Sequence, residues 1–515
     1  MALANFFDKA ALGAAQVLKA FDRKRFEQIL GQNKIGIVFD NMAARSHEGR
    51  ATLDLIVRLT ARLYPDLQIF DISNENNEYQ KKLEECAVLI NPAINLSKSE
   101  PTSINIIVGN TEYVNSANGN FYIGSDGWIA KLSTTKPMGC GDSQNPFGAG
   151  ASACFGAANA FRMVFKDQLL KGDCDKDFSL SIFDFVKSND IVQNNGPNID
   201  NIFIDETHIV GIGAIGNAVI WALANIPNLT GELVIIDHQE IELSNLQRYS
   251  LANQHDINKL KVTLAKEFMR ESKLKINVNP MSWERYLQER KNWLINRVAV
   301  CVDSAKDRII VQGSLPKKII NSWTQPASLG VSRHLDFIND ACLTCLYIPD
   351  SKRKSLSEVI AESLSLKDHE PIIRKYLATK TPVDNMILSL VSTARRIPID
   401  QLTPFQGKQM EIFYSEVVCG GILMRLSQNS EEPDPVEVPS AFESALAGIL
   451  LASELIIDAG NLRTEKIPSL IKFNLLRPLS NHITEEQQKH HSTRCICQDP
   501  VFIKAYENKW LKVLN

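Results

Sequence analysis

A glycine-rich turn is the residue pattern in this chain best suited to chemistry. Gly211, Gly213 and Gly216 follow an apolar stretch that ends at Val210, and together they form the pattern GxGxxG. Such a turn between a strand and a helix lets backbone N–H groups approach a phosphate or a ribose closely. Asp237 ends the next apolar stretch, where a carboxylate suits a ribose hydroxyl. The pattern therefore predicts a nucleotide site.

Four polar residues after the turn narrow the choice of nucleotide. Asn245 and Arg248 supply an amide and a fixed cation, and Lys261 begins a helical segment from which it reaches a phosphate. Asp303 ends the apolar stretch 298–302, at the sheet edge where open α/β folds bind ligands. One carboxylate together with phosphate oxygens and water suits Mg²⁺. The set favours Mg-ATP over a dinucleotide, although Lys261 by itself is also typical of a solvated lysine.

Two close cysteine pairs predict a metal site. Cys342 and Cys345 form a CxxC motif, and Cys495 and Cys497 form a CxC motif near the end of the sequence. Four thiolates make a closed tetrahedral Zn²⁺ site, which is structural and leaves no vacancy for a further ligand. The alternatives are redox-active thiols and cysteines without a shared role.

Cys419 differs from the other cysteines because two glycines follow it and a Pro- and Glu-rich stretch, 427–439, comes next. Glycines beside a thiol leave it open to a bulky electrophile, and a nearby helix N-terminus can lower a thiol pKa. By itself Cys-Gly-Gly more often marks a buried structural cysteine. The neighbourhood favours a nucleophile.

Two α/β units must position these residues. The first unit is predicted to run from a strand at 35–39 through a helix at 51–63 to a strand at 67–70, with further strands at 86–90 and 104–108. No glycine turn follows its first strand, so we expect this unit to bind no nucleotide. The second unit begins near residue 201, after a polar linker, and contains the glycine turn.

The two units share one sequence feature. The segments 145–161 and 438–453 both open with a proline and continue in small residues, which allow helices to pack closely. They are either unrelated Ala/Gly-rich core helices or remnants of an internal duplication in which the first half lost its nucleotide site.

Composition excludes several classes of function. The 515 residues, 44% hydrophobic and 22% charged, are typical of an α/β protein with two or three domains. A net charge of -3 gives no basic surface for nucleic acid or an anionic membrane. No apolar run reaches the roughly 18 residues of a membrane span. Ten cysteines without an export signal predict reduced thiols and a cytoplasmic location.

Taken together, these motifs resemble the ThiF/MoeB/E1 superfamily of ubiquitin-like-protein activating enzymes. The resemblance covers about 200–515 and rests on GIGAIG, IIDHQEIELSNLQR, CVD and CxxC, with Lys261 and Arg308 between them. It implies an α/β chain with two Rossmann-like adenylation folds and a structural zinc site. It also implies the following roles: ribose binding by Asp237, ATP phosphate contacts by Asn245, Arg248 and Lys261, Mg²⁺ binding by Asp303, and Zn²⁺ binding by Cys342, Cys345, Cys495 and Cys497.

Adenylation folds of that superfamily work in pairs, which are identical or consist of one active and one inactive fold. The resemblance therefore implies an inactive fold over 1–197 and an active fold over 198–515. The active fold would contain a helical insert at 346–418, a crossover loop with Cys419 as the catalytic cysteine, and a zinc-binding tail.

Three positions depart from the superfamily pattern, although none removes a phosphate contact. Ala214 replaces a glycine of the turn, Gln239 replaces the second aspartate of DxD, and Tyr249 replaces the glutamine after Arg248. An inactive half often donates an arginine to the ATP phosphates, and the resemblance makes Arg23 and Arg25 candidates for that role.

The implied reaction begins when the C-terminal carboxylate of a ubiquitin-like protein attacks the α-phosphate of ATP and releases pyrophosphate. Cys419 then forms a thioester, which passes to an E2-like conjugating protein. The layout is similar to E1-like proteins of bacterial Bil-type antiphage operons, and the pseudo-dimeric chain would be monomeric or would dimerise further. The nearest alternative is a ThiF/MoeB-type adenylyltransferase that stops at the acyl-adenylate. A non-catalytic scaffold and an NAD-dependent dehydrogenase are weaker alternatives.

Overall fold

The computed structural model describes residues 3–96, 101–113, 116–188, 195–290, 292–348, 356–414, 416–417, 437–481, 483–491 and 495–511. Cys419, the predicted nucleophile, lies outside the described residues.

The first half contains one mixed sheet. Its strands are β1 Ile35–Phe39, β2 Leu67–Asp71, β3 Thr102–Val108, β4 Ser116–Asp126, β5 Ile129–Ser133, β6 Phe178–Ser181 and β7 Lys187–Ser188. Within the described residues they lie in the order β2-β1-β3-β4-β5-β6-β7. The pairs from β2 to β4 are parallel, and those from β4 to β7 are antiparallel.

The helices of the first half cover this sheet. They are α1 Phe7–Val17, α2 Arg23–Gln32, α3 Asn41–Arg45, α4 His47–Thr60, α5 Asn77–Ile90 and α6 Phe147–Phe165, followed by a 3-10 helix at Lys166–Gln168. Helix α4 begins where the Ser46 hydroxyl accepts a hydrogen bond from the N–H of Gly49 at 3.1 Å. This cap satisfies a helix donor that would otherwise lack a partner.

The strand predicted at 86–90 is wrong, because these residues form the last turns of α5. Leu83, Ala87 and Ile90 are buried, whereas Val88 and Leu89 are each 42% exposed. Burial at every third or fourth residue is the period of a helix. A short apolar run does not reveal its period without the polar helical turns before it.

The second half contains a larger mixed sheet. Its strands are β8 Phe203–Val210, β9 Thr230–Ile236, β10 Lys275–Asn279, β11 Arg297–Val300, β12 Lys318–Gln325, β13 Ser328–His334, β14 Leu470–Phe473 and β15 Thr484–Glu485. Across the described part of the chain their order is β10-β9-β8-β11-β12-β13-β14-β15. The pairs from β10 to β12 are parallel, and those from β12 to β15 are antiparallel. Two mixed sheets confirm the predicted α/β class.

The helices of the second half lie around this sheet and in a segment between β13 and β14. They are α7 Ala214–Ala224, α8 Lys261–Phe268, α9 Trp283–Glu289, α10 Ala305–Gly313, α11 Thr344–Tyr347, α12 Leu356–Ser363, α13 Glu370–Thr379, α14 Asn385–Arg395, α15 Ile399–Leu402, α16 Met410–Tyr414, α17 Ala441–Ala459 and α18 Pro500–Trp510. Short 3-10 helices stand at Leu243–Gln247, Gln254–Asp256, Lys367–His369, Thr403–Phe405 and Ile496–Gln498.

The two sheets repeat one plan. Each has a parallel part followed by an antiparallel part, and the second sheet adds β10 at its outer edge. Helices α6 and α17, each 19 residues long, lie between corresponding strands and pack against each other. A Cβ on Gly150 of α6 would lie 2.8 Å from both Trp221 and Ile449, so the small residues permit this close packing. The segments 145–161 and 438–453, which are similar in sequence, therefore also occupy corresponding places in the two halves of the fold.

Helices α12 to α16 form a separate module within the predicted insert. They pack around their own apolar core, which includes Ile360, Leu364, Ile373, Ile387 and Phe413. A single larger core joins the two halves of the chain elsewhere. None of the helices in the described ranges is long and apolar enough to span a membrane.

Candidate functional site

The glycine turn lies at the carboxyl edge of the second sheet, between β8 and α7. Gly211 has a φ of +93°, and a Cβ there would lie 3.0 Å from the backbone carbonyl of Cys301. A Cβ on Gly216 would lie 2.3 Å from the carbonyl oxygen of Gly211. These two positions require glycine for backbone shape and close packing.

Gly213 faces open space. The nearest atom to a Cβ built there is the Tyr249 hydroxyl at 3.8 Å, and Gly213 precedes the first residue of α7. Among the described residues, no side chain caps this helix start. The N–H groups of the turn therefore have room for an anionic group of a ligand.

Asp237 connects the turn to the next loop. Its Oδ2 accepts a hydrogen bond from the N–H of Ile212 at 2.6 Å, and its Oδ1 accepts one from the N–H of Gln239 at 2.8 Å. Each carboxylate oxygen can accept further hydrogen bonds. Because β8 and β9 are parallel neighbours, the structure brings Asp237 next to the glycine turn. Its role as a ribose ligand stays a prediction.

Lys261 is a buried cation beside this carboxylate. Lys261 is only 5% exposed. Its Nζ donates a hydrogen bond to Gln239 Oε1 at 2.6 Å and lies 5.2 Å from the centre of the Tyr249 ring. Burial opposes its charge, but the Tyr249 hydroxyl, Asp237 and Asp303 outweigh burial and raise the pKa of Lys261. Lys261 is therefore not the solvated lysine of the alternative interpretation, and it remains charged at neutral pH.

Gln239 and Tyr249 both contact Lys261, and sequence reasoning assigns neither a role in the candidate site. The sequence does mark both positions, because each is a place where the chain departs from the superfamily pattern. In the structure, the side chains at both positions contact Lys261. Gln239 thus holds the lysine through its side chain and contacts Asp237 through its backbone.

Asn245 lies on the 3-10 helix Leu243–Gln247, and Arg248 directly follows that helix. Asn245 Oδ1 accepts from the N–H of Glu242 at 3.0 Å, which orients the amide. Arg248 is half-buried, and its guanidinium stands 6.0 Å from the Tyr249 ring centre and 3.5 Å from Gln247 Oε1. Within the described ranges this long hydrogen bond is the only one from the Arg248 guanidinium, so its other donors are available for a phosphate.

Asp303 is exposed at the end of the segment after β11, and among the described residues its carboxylate accepts no hydrogen bond. Arg308 holds the loop in place. It donates to the carbonyl oxygens of Asp303 at 3.3 Å and Ser322 at 3.0 Å, and to Asn321 Oδ1 at 3.0 Å. A free carboxylate on a rigid loop suits a cation with several water ligands.

The four predicted metal ligands form one buried cluster. Sγ–Sγ distances are 3.4 Å for Cys342 to Cys495, 3.2 Å for Cys345 to Cys495 and 3.5 Å for Cys345 to Cys497, and all four sulfurs lie within 4.8 Å of one another. Zn–S bonds of about 2.3 Å place tetrahedral thiolates about 3.8 Å apart. The donor set and its spacing therefore fit Zn²⁺, which would join the C-terminal segment to the region after β13.

Of the two candidate phosphate arginines, Arg23 has ion-pair partners within the first half of the chain. Arg23 forms ion pairs with Asp8 at 2.7 Å and Glu27 at 2.9 Å, and Arg25 is exposed at the start of α2. Their role at the phosphates stays a prediction.

A comparison with protein families identifies the second half. The model of the ThiF family matches residues 195–496, which is more than half of the chain. The chain belongs to the ThiF family. This ThiF-family protein is therefore an ATP-dependent adenylating enzyme of the E1/ThiF type. A second model, prokaryotic E2 family C, matches residues 38–166 of the same protein.

The ThiF-family protein also resembles one protein along nearly its full length. It is 42% identical over 510 residues to the uncharacterised protein y4jF of Sinorhizobium fredii (strain NBRC 101917 / NGR234), covering 99% of this chain and 98% of that protein.

Crystal structures of E. coli MccB show a weaker similarity. The complex with MccA-N7isoASN is 15% identical with a TM-score of 0.35, covering 57% of this chain and 67% of that chain. The complex with ATP is 15% identical with a TM-score of 0.34, covering 58% of this chain and 68% of that chain. These low scores leave the fold assignment to the family match and to the sheet topology.

Proposed function

We propose that this ThiF-family protein activates the C-terminal carboxylate of a ubiquitin-like protein with Mg-ATP, in the site of its second half. The Lys261 ammonium is the observation that carries the proposal. It is buried, held by Gln239 and kept charged beside Asp237 and Asp303, next to the open side of the glycine turn. A fixed cation at that position supports phosphate binding and stabilisation of the charge that develops on transfer.

In the proposed first step, a carboxylate oxygen of the substrate attacks the α-phosphorus of ATP. A new P–O bond forms, the bond to the bridging oxygen breaks, and pyrophosphate leaves with the electron pair. Lys261 and Arg248 would stabilise the negative charge on the phosphate oxygens. Asp237 would hold the ribose, and Gly213 leaves room for the phosphates.

Asp303 is the residue proposed to hold Mg²⁺. Its carboxylate is exposed, lies on the loop fixed by Arg308, and is near enough to Lys261 to raise the pKa of that lysine. When bound, the ion would supply positive charge to the phosphate oxygens of ATP.

The first half is proposed to bind no nucleotide, because an aspartate takes the place of a glycine turn. Asp40 follows β1, and its carboxylate accepts from the N–H groups of Ala43 at 2.9 Å and Asn110 at 2.6 Å. A Cβ on Gly109 would lie 2.2 Å from Asp40 Oδ1. The carboxylate therefore lies between the ends of β1 and β3, which correspond to β8 and β11 of the second half. This supports an inactive fold over 1–197.

The second proposed step uses Cys419, which lies outside the described residues. Its thiolate would attack the carbonyl carbon of the acyl-adenylate, form a thioester and release AMP. In the sequence, Cys419 stands between the α12–α16 module and α17, the place of the crossover loop that the resemblance implies, and this order supports the proposal.

The proposed acceptor of the thioester is a separate E2-like protein. The family match over 38–166 supports a place in a conjugation system, but the thiols described in that range are poorly suited to accept an acyl group. Burial raises the pKa of Cys86, raises that of Cys140 to about 12 and raises that of Cys154 well above its ordinary value. A thiol with a raised pKa is a weak nucleophile at neutral pH.

The raised pKa values of the described thiols also favour a second candidate function, an adenylyltransferase that forms no thioester. Outside the zinc cluster, each free cysteine in the described ranges has a pKa raised by burial, Cys174 and Cys301 included. Without a reactive thiol the enzyme would stop at the acyl-adenylate, as in sulfur-carrier activation or peptide modification.

A thioester assay distinguishes the two functions. We expect the wild-type protein, incubated with ATP, Mg²⁺ and a ubiquitin-like protein encoded near its gene, to form an adduct that dithiothreitol releases. The Cys419→Ala variant should lose the adduct and retain ATP–pyrophosphate exchange, because only the second step needs the thiol.

Cys174→Ser is the matched control, and it should form the adduct normally. An adduct that persists in Cys419→Ala would move the nucleophile to another residue, and exchange without any adduct in the wild type would favour the adenylyltransferase. The same neighbouring genes test the predicted Bil-type antiphage operon.

A further inference from the structure

Two arginines of the first half reach into the second half beside the predicted phosphate site. Arg62, just after α4, donates through Nη1 to the carbonyl oxygen of Leu246 and through Nη2 to those of Ser250 at 3.1 Å and Ala252 at 2.9 Å. Arg58, on the last turn of α4, stands 3.3 Å from the same Ser250 oxygen. One guanidinium thus binds three carbonyls across a seven-residue segment, 246–252.

This segment overlaps the residues that we expect to contact ATP. Leu246 lies between Asn245 and Arg248, and Arg248 is followed directly by Tyr249, which contacts Lys261. The end of a 3-10 helix leaves carbonyl groups without intrahelical partners. Arg62 donates to one such carbonyl, that of Leu246, and to those of Ser250 and Ala252 beyond the helix, so one guanidinium joins both ends of the segment.

The cost of burying Arg62 indicates that the contact is specific. Arg62 is 1% exposed, and its hydrogen bonds within the described chain all go to backbone carbonyls rather than to a carboxylate. A buried cation without an ionic partner is expensive, and removing its acceptors leaves the charge uncompensated. The neighbouring Arg58 does have a carboxylate, Asp54 at 2.9 Å, which also accepts from Trp221 of α7 at 2.8 Å.

Other contacts of the first half continue along the same stretch. Gln254 donates to the carbonyl oxygen of Ile90 at 3.0 Å and pairs with Asn5 at 3.0 Å, and α1 packs against the 3-10 helix at 243–247. The surface that carries Asn245 and Arg248 is therefore built against the first half of the chain.

We propose that Arg62, supported by Arg58, is a positioning residue that sets Asn245 and Arg248 for the phosphates of ATP. The first half thereby contributes to nucleotide binding without touching the nucleotide. This inference rests on the proposed nucleotide site in the second half.

Nucleotide binding without a protein substrate tests the inference separately from the activation reaction. The probe is Mg²⁺ with a non-hydrolysable ATP analogue, titrated by calorimetry into the full chain. We expect Arg62→Met to weaken binding about tenfold or more, the effect of losing charge-assisted hydrogen bonds that order the segment. Arg62→Lys, which keeps the charge and part of the donor set, should recover part of the affinity.

Arg162→Met is the matched control. Arg162 is also 1% exposed and also lies in the first half, but its partners Asn159, Asp173 and Asp175 are all in that half. It should lower the melting temperature and leave the affinity unchanged.

Three results would overturn the inference: wild-type affinity in a folded Arg62→Met, equal losses in both methionine variants, or wild-type affinity in Arg62→Lys where Arg62→Met does not fold. If the wild-type protein binds no Mg-ATP analogue, the proposed nucleotide site itself fails, which is a separate outcome.

Discussion

Lys261 shows what a residue's type and spacing predict and what they leave open. Its place after the glycine turn predicts a phosphate contact, but spacing alone does not distinguish it from a solvated lysine. The structure distinguishes the two interpretations, because the Lys261 ammonium is buried and held by Gln239. Such partners depend on how three loops meet at one sheet edge. The cysteine cluster is more predictable, since two short motifs identify the four thiols that the structure brings together.

Zinc binding by the four-cysteine cluster can be tested by replacing a single cysteine. We expect the purified protein to contain stoichiometric zinc and Cys495→Ser to lose it, because Cys495 Sγ is close to the sulfurs of both Cys342 and Cys345. The melting temperature should fall as well, since a bound metal would join distant segments. Metal content by plasma mass spectrometry and thermal denaturation measure both effects. Cys174→Ser is the control. Full zinc retention in Cys495→Ser would contradict the site.

Among the elements of the first half, three predicted strands and one predicted helix are confirmed, and one predicted strand is wrong. Strands at 35–39, 67–70 and 104–108 agree with β1, β2 and β3, and the helix at 51–63 overlaps α4. The strand predicted at 86–90 is a helix end, and five apolar residues suit either structure equally well. The small-residue helices α6 and α17 were recognised because their composition reflects their packing against each other.

The start of α17 predicts a pH dependence of stability. Glu443 is fully buried, and its Oε2 accepts from the N–H of Ser440 at 2.9 Å. Burial raises the pKa of Glu443 to about 8, against the lowering effect of Ser440. In the unfolded chain the carboxyl ionises near its ordinary pKa of about 4.3. The unfolded state therefore binds fewer protons between about pH 5 and pH 8, and stability falls across that window.

We expect Glu443→Gln to remove this loss, because glutamine keeps the cap and stays neutral. The difference in melting temperature between Glu443→Gln and wild type should grow in favour of the variant from about pH 5 to about pH 8 and then level off. Glu465→Gln, at an exposed position, should show no such trend. A difference that stays constant with pH would contradict a raised pKa at Glu443.

For the whole molecule, the two halves share one sheet plan, and the missing glycine turn in the first half makes them unequal. Sequence patterns predict the two α/β units and the location of the site, because sheet edges and turn residues follow local rules. They do not reveal how the halves meet. Arg58 and Arg62 are ordinary helix arginines in the sequence, and only the packing of α4 shows that they bind carbonyls of the second half.

Exchange of labelled pyrophosphate into ATP tests the central claim most directly. It is measured with the full chain, Mg²⁺ and a ubiquitin-like protein encoded near its gene. We predict exchange that depends on the terminal carboxylate of that protein and that falls by about 100-fold in Lys261→Met, the loss typical of a transition-state charge contact. Lys259→Met, two positions away and paired with Asp256 and Glu267, should retain the wild-type rate. Absence of exchange in a wild-type protein that binds Mg-ATP, or an unchanged rate in Lys261→Met, would contradict adenylation at this site.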